Sequence, residues 1–360
     1  MSHKTIAVLA GDGIGPEVMQ SALAVLTKVG TVYNREFRFT PALVGGAAFE
    51  VHGSHFPDQT RLVCESADAI LFGSVGGPVS EGHLPKWRGC ETNSILALRK
   101  TFQLSANFRP ARVYKELPGS CPLRDEITSS GVDLVIVREL QGDVYFGEHT
   151  FFSQNGKRCA RDSGEYSEEQ IAPVARLAFE AARKRRKRLT SVDKANVLHT
   201  SKLWREVVRE ISEEYPDVTF DEMLVDNCAL QLVKDPGQFD VLVTSNLFGD
   251  ILSDLAAALP GSLGLTPSAS LASNGFGLYE PSGGSAPDIA GRGIANPIAQ
   301  ILSAAMMLQL SFSWLEEAAA IERAVQETLM AGYRTRDIAQ TGEAAISNTE
   351  ITSKIIERIR

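Results

Sequence analysis

Apolar residues along this chain switch between two spacings. Thr5–Ala10 is a short apolar run of strand length, GDGIGP follows, and from Pro16 to about Val29 apolar positions recur at helical spacing. Proline at a first helical position has a φ that suits the helix and lacks an N–H that would go unpaired there. The pattern predicts strand, turn, helix. Further strand-like segments are Glu36–Val44, Ala69–Phe72, Asp133–Val137, Leu189–Val192 and Val241–Thr244, with helical stretches between many of them. That alternation predicts an α/β protein with partly parallel pairing. The C-terminal third reads as helical, broken by glycine- and proline-rich loops at Pro260–Pro267 and Gly275–Gly293. Pro297–Leu315 is the most apolar long window. Gln300, Ser303, Gln309 and Ser311 interrupt it, which favours a buried helix over a membrane span.

The chain of 360 residues is long enough for one large domain or two of ordinary size. It has no repeat, low-complexity tract or flexible linker, so two intimately connected domains are expected. A net charge of −8 argues against a general nucleic-acid binder. The basic run Arg183–Arg188 closes a helical stretch that Ser167 and Gln170 can open as a capping box, and cations suit a helix C-terminus. The five cysteines form no CxxC pair and the six histidines no zinc spacing, as expected of free thiols in a reducing compartment. The apolar stretch at the N-terminus is too short for a signal peptide, so a cytoplasmic location is expected. Gly11, Gly13 and Gly15 are spaced GxGxG, and no acidic residue closes a following strand at the required distance. A Rossmann dinucleotide fingerprint is therefore excluded.

The candidate chemistry centres on FDVLVTSNLFGDILSD. The run Phe239–Thr244 suggests a strand, Ser245–Gly249 a turn, and Asp250 the start of a helix lasting through Ala258. Asp250 and Asp254, four apart, then share one helix face. Two readings fit: acidic residues suit a helix N-terminus, or the pair holds a cation, where oxygen-only ligation favours Mg²⁺ or Mn²⁺.

Three arginines stand in short distinctive settings: Arg99 in ILALRK, Arg109 in SANFRP and Arg138 in VIVREL. Guanidinium groups grip carboxylates bidentately, and three together suit a small dicarboxylate; singly, each reads as an ion-pair partner. Tyr145 sits in the glycine-flanked GDVYFG, while Lys194 and Asp226 follow strand-like segments. A lysine beside a cation can act as a general base; an ordinary salt bridge is the plainer alternative. The loop Glu280–Pro297, EPSGGSAPDIAGRGIANP, offers backbone N–H groups to phosphates and the Asp288 carboxylate to a hydroxylated sugar.

In this order these motifs resemble the isocitrate/isopropylmalate dehydrogenase family of β-decarboxylating dehydrogenases, and within it the 3-isopropylmalate branch. The resemblance runs from GDGIGP through the arginine motifs, RELQGDVYFG, TSVDKANVL, SKLWREVV, VDN, SNLFGDILSD and EPSGGSAPDIAG to GYRTRDI. It departs at Gly283, where many relatives carry histidine, in RELQGD, and in Trp87–Ser94. The resemblance implies a two-domain α/β fold with a mixed central sheet, not Rossmann. One domain would hold residues 1–105 and 256–360 and bind the cofactor; the other, 106–255, would carry the dimer interface, metal and catalytic residues.

For the reaction, the resemblance implies oxidative decarboxylation of (2R,3S)-3-isopropylmalate to 4-methyl-2-oxopentanoate in leucine biosynthesis, with NAD and one Mg²⁺ or Mn²⁺ per site of a homodimer. Arg99, Arg109 and Arg138 would grip the malate carboxylates. Asp226 of the partner subunit, with Asp250 and Asp254, would hold the metal, which acts as a Lewis acid. Lys194, also from the partner, would take the hydroxyl proton, and Tyr145 would protonate the enol carbon. Gly76, Gly77, Pro78 and Glu91, then Gly284, Ser285, Ala286, Pro287, Asp288 and Ile289, with Asn296 at the adenine, would contact NAD. Asp288 should repel the 2′-phosphate of NADP. Ile95, Leu96 and Val197 would line the side-chain pocket. A carboxylate buried there without a partner costs several kcal/mol, whereas an isopropyl group gains about 0.8 kcal/mol per carbon. Two alternatives stand beside this reading: a D-malate/tartrate or homoisocitrate dehydrogenase, and a non-catalytic subunit of such an enzyme.

Overall fold

The computed structural model describes residues 3–360. They fall into two compact units. The first holds the described residues through Phe102, Tyr114–Pro122 and Pro260–Arg360; the second holds Gln103–Val113 and Leu123–Leu259. The short segment Tyr114–Pro122 joins the first unit because its carbonyls and Glu116 are gripped there, by Arg334 on the Glu116 carbonyl and Gln326 on its carboxylate.

Strands β1 (Lys4–Gly11), β2 (Phe37–Pro41) and β3 (Ala69–Ser74) open the first unit. The second unit contributes β4 (Ala106–Arg112), β5 (Asp133–Glu139), β6 (His149–Gln154), β7 (Lys157–Asp162), β8 (Arg188–Asp193), β9 (Thr219–Leu224) and β10 (Val241–Thr244). The chain then returns to the first unit with β11 (Pro267–Leu271) and β12 (Gly277–Pro281). In the first unit the strand order is β2-β1-β3-β12-β11, all pairs parallel except β11 with β12. In the second it is β4-β5-β10-β8-β9, parallel except for β4 with β5. Each unit's run of strands is mixed, parallel pairs joined by crossover helices with one antiparallel pair, as the alternating pattern predicts.

The fold departs from the sequence expectation at several elements. Strands β11 and β12 lie where the C-terminal third reads as helices and loops. They are short, rich in small residues and almost wholly buried, so they show no alternation to read. The strand expected over Glu36–Val44 is confined to Phe37–Pro41, since Gly45 opens a helix. An Asn155-Gly156 turn, both residues at positive φ, joins β6 to β7 as a separate hairpin. The helix expected from Asp250 begins a full turn earlier, at Asn246, and runs to Ala257. Ser245 takes the extended N-cap conformation, and the Gly249 N–H already donates to the Ser245 carbonyl at 2.8 Å. Asp250 and Asp254 therefore sit beyond the first turn, so a favourable helix start does not account for them.

Two glycines show why these turns need no side chain. Gly13 lies at φ +59°, and a Cβ there would come within 2.0 Å of the Ser285 carbonyl oxygen. GDGIGP is thus a packing turn: the Ile14 N–H donates to the Ser285 carbonyl, and buried Asp12 accepts from the N–H groups of Gly46, Ala47 and Gly76. At Gly249 a Cβ would lie 2.5 Å from Cγ of Arg138, so glycine gives that arginine its passage along the helix. The helix packs Leu252 and Ala256 into a core with Leu134, Ile136, Val192, Leu242 and Leu232. The expected basic helix end and capping box are both present, with Arg185 paired to the fully buried Asp240. All five cysteines are free, and no helix among the described residues is long and apolar enough to cross a membrane.

Candidate active site

Ligand sites in parallel sheets gather at the C-terminal ends of the strands. In the second unit, Arg138 and Glu139 end β5, Ser245 follows β10, and Lys194 follows β8. Register sets Arg138 opposite Asn107 on one side and Thr244 on the other. Arg109, two residues beyond Asn107, shares its face of the sheet.

Arg138 is 4% exposed, so its charge requires partners. Its Nε donates to Oδ1 of Asn246 at 3.0 Å, Nη1 donates to Asp250, and its guanidinium stacks 5.3 Å from the Tyr145 ring centre. The Tyr145 hydroxyl donates to Oδ2 of Asp250 at 2.5 Å. Burial first, and then the Asp250 carboxylate, push the Tyr145 hydroxyl above the usual tyrosine range. It is a proton donor at neutral pH. Asp254, 73% exposed, lies 3.8 Å from Nη1 of Arg109. Lys194 and Asp226 form a separate pair at 2.5 Å, and the lysine holds the Asp226 carboxyl below its usual range. Five of the expected residues, Arg109, Arg138, Tyr145, Asp250 and Asp254, thus form one cluster, and Lys194 with Asp226 another. Among the described residues no three His, Cys, Asp or Glu side chains gather as a metal site.

Behind the first cluster runs a network that the sequence did not flag. The Tyr166 hydroxyl accepts from the Asn246 N–H and donates to Oε2 of Glu139, each at 2.9 Å. Asn246 in turn donates from Nδ2 to the Gly142 carbonyl at 3.1 Å. Burial pushes the Glu139 carboxyl up to about 7 although two backbone N–H groups also donate to it. No short motif marks Tyr166, which lies between β7 and the helix Glu168–Arg183 and meets Asn246, of the SNLFGDILSD stretch, only in the folded chain.

Arg99 belongs to the first unit. It is buried, its Nη2 donates to Glu280 at 3.2 Å, and its Nε has no partner. Ile95 and Leu96 precede it, half-buried, within a π-helical turn over Thr92–Leu96, an irregularity common at functional sites. The first unit also holds a cavity of about 640 Å³ lined by Gly283, Gly284, Ala286, Asp288, Ile289 and Asn296, among others, a volume suited to a nucleotide-sized ligand. Gly76, Gly77, Pro78, Glu91, Ser285 and Pro287 are not part of its lining. Gly77 is needed for packing, since a Cβ there would meet the Trp87 ring at 2.2 Å. Asn296 is already engaged, donating to Asp337 and accepting from the Ile298 N–H, both at 3.0 Å. Val197 is exposed on the second unit.

An α/β chain with a nucleotide-sized cavity in one unit and an arginine–tyrosine–aspartate cluster in the other has the makings of a dehydrogenase for an acidic substrate. The family model described as isocitrate/isopropylmalate dehydrogenase matches residues 5–359. The chain belongs to that family of oxidoreductases. It is 54% identical over 360 residues to 3-isopropylmalate dehydrogenase of Mannheimia succiniciproducens, covering all of both chains. With the Aquifex aeolicus enzyme of the same name it shares 50% over 365 residues, covering 100% of this chain and 98% of that one. Among solved structures, isocitrate dehydrogenase from Methylococcus capsulatus matches with a TM-score of 0.86 at 37% identity over the whole of both chains. A β-decarboxylating dehydrogenase from Thermococcus kodakarensis matches at 0.80 and 36% identity, covering 99% and 96%.

Proposed function

We propose that this chain catalyses the NAD⁺-dependent, divalent-metal-requiring oxidative decarboxylation of 3-isopropylmalate in leucine biosynthesis, working as a homodimer with shared active sites. The observation that carries the reading is the cluster of Arg138, Tyr145 and Asp250 at the carboxyl ends of β5 and β10, in a chain whose relatives at 50–54% identity bear that enzyme's name.

The residues suit each step. Arg138 and Arg109 supply fixed positive charge for carboxylates, and Arg99 in the first unit supplies a third guanidinium. Lys194 takes the C2 hydroxyl proton as the C2 hydride passes to NAD⁺. The bond from C3 to its carboxylate then breaks, CO₂ leaves, and the electron pair forms an enolate. Tyr145, kept protonated by its surroundings, gives a proton to C3. Asp226, Asp250 and Asp254 offer only oxygen donors and fit Mg²⁺ or Mn²⁺, which when bound supplies positive charge for the developing oxyanions. In the first unit, the cavity with Asp288 on its lining suits the ribose hydroxyls of NAD and disfavours a 2′-phosphate.

Two features favour the dimer. Asp226 and Lys194 stand apart from Asp250 within one chain, so a second copy is needed to complete each metal site. The second unit also exposes Val197, Leu198, Leu230, Val233 and Ile251, and Phe151 on the hairpin is 94% exposed. An isolated hairpin is marginal in water, and a second copy would cover this apolar surface.

Ile95 and Leu96, the residues four and three before Arg99, favour an alkyl side chain over a third carboxylate. With purified chain, NAD⁺ and Mg²⁺, 3-isopropylmalate should yield NADH and CO₂ in equal amounts. NADH without CO₂, or no NADH, would overturn the reading.

A further inference from the structure

The segment SKLWREVV is one of the ordered motifs of the sequence, yet no step of the proposed reaction uses it. It folds as part of the helix His199–Ser212, which docks through buried Trp204, Val207, Val208 and Ile211. Trp204 also donates from Nε1 to the Ser191 hydroxyl of β8 at 3.2 Å. One residue on, Arg205 reaches the last residue of the same strand. Its Nε and Nη2 donate to Oδ2 and Oδ1 of Asp193, each at 2.8 Å, a parallel two-bond grip. Oδ1 of Asp193 also accepts the Ala195 N–H at 2.8 Å. The Asp193 side chain is 1% exposed, so its charge depends on these donors. Lys194 lies between the two residues so joined, and its own carbonyl accepts the N–H groups of Val197 and Leu198, both at 3.0 Å. Its backbone is therefore held on both sides.

We propose that Arg205, acting through Asp193, is a positioning residue for Lys194; this rests on the reading of Lys194 as the general base. Docking of the helix does not call for the pair. The apolar face of the helix already provides it, and a buried ion pair adds little stability over apolar residues of similar size. What the pair adds is aim. A lysine carries its ammonium on a flexible four-carbon stem, so placing that charge means fixing both ends of the side chain. Asp226 holds the ammonium end at 2.5 Å. Register sets Asp193 opposite Leu224, so Lys194 and Asp226 leave the ends of neighbouring parallel strands side by side. Arg205 and Asp193 hold the backbone end. A general base must come within hydrogen-bond reach of the proton it takes, and a displacement of about 1 Å can cost about a hundredfold in rate. The arginines that grip the substrate carboxylates lie elsewhere, so substrate binding is untouched by the loss of this grip.

Arg205→Lys keeps a positive charge beside Asp193 but cannot make the two-bond grip. In the full-length protein, steady-state kinetics should show kcat lowered at least about tenfold, with KM for 3-isopropylmalate and for NAD⁺ within about twofold of the parent's. In the Lys194→Ala background the same substitution should change the residual kcat by less than about twofold, because a residue acting through Lys194 then has nothing to position. Arg209→Met removes the neighbouring ion pair of the same helix, with Glu222, and should leave kcat within about twofold. Asp193→Asn keeps the side-chain shape and serves where Arg205→Lys does not fold; it should show the same loss, and the same silence on Lys194→Ala. A parental kcat in either folded variant would overturn the proposal. Equal losses in both backgrounds, an equal loss in Arg209→Met, or a raised KM with unchanged kcat would overturn it too, as would failure of both variants to fold, which makes the pair a structural tie. If Lys194→Ala itself kept the parental kcat, the base reading would fail, and this proposal with it.

Discussion

Replacing Tyr166 with phenylalanine removes one oxygen and keeps the ring, which packs edge-on against Trp204 at 5.6 Å. That oxygen accepts the hydrogen bond of the Asn246 N–H, the first residue of the helix bearing Asp250 and Asp254. The first N–H groups of a helix have no partner within it, and Ser245 makes no side-chain cap. Tyr166 thus performs the capping that Ser245 does not. Leaving this N–H unpaired costs about 1–3 kcal/mol. In a unit of this size that lowers the melting temperature by about 2–4 °C per kcal/mol. The same change loosens Asn246, whose Oδ1 accepts from Nε of Arg138. The KM for 3-isopropylmalate should therefore rise about tenfold if about 1.4 kcal/mol of carboxylate binding is lost, with a smaller effect on kcat. Thermal melts and steady-state kinetics on the same preparation test both parts. A melting temperature and KM equal to the parent's would refute the capping argument. A lower melting temperature with unchanged KM would refute the link to Arg138.

Asp250→Asn should weaken Mn²⁺ binding at least about tenfold, since an amide replaces a charged oxygen ligand; titration followed by electron paramagnetic resonance decides it, and unchanged affinity would exclude Asp250 as a ligand. Lys194→Ala should lower kcat far more than it raises KM, and a near-normal kcat would refute the base role. Mixing Lys194→Ala and Asp250→Asn chains under exchange conditions should restore about a quarter of parental activity, because half the dimers are hybrids with one intact site of two; no recovery would contradict shared sites. Burial raises the Glu139 carboxyl from 4.5 to about 7, so between those values the folded chain holds a proton that the unfolded chain has released. Glu139 should thus reduce stability as pH rises through that window, by an amount on the order of 3 kcal/mol, and the loss should be complete above it. Melting curves of Glu139→Gln should lack this component; an identical pH dependence in both chains would remove Glu139 as its source.

The apolar runs that become β1, β3, β5, β8 and β10 were legible because central parallel strands are continuously hydrophobic. β4 was not, since ANFRPAR carries two arginines and a proline on a strand whose register, not its composition, fixes its place. Asp250 and Asp254 were found as a pair, yet their helix starts a turn earlier than the pattern suggests. SNLF reads as a turn in isolation, and Tyr166, eighty residues away in the chain, is what caps it.

The central claim is the identity of the acid that this arrangement oxidises. Values of kcat/KM measured with NAD⁺ and Mg²⁺ on 3-isopropylmalate, isocitrate, homoisocitrate and D-malate address it directly. The account predicts that 3-isopropylmalate exceeds each of the others by at least about a hundredfold, the scale set by a few buried methyl groups against an unpaired or missing side chain. A comparable or higher value for any of the other three would contradict it.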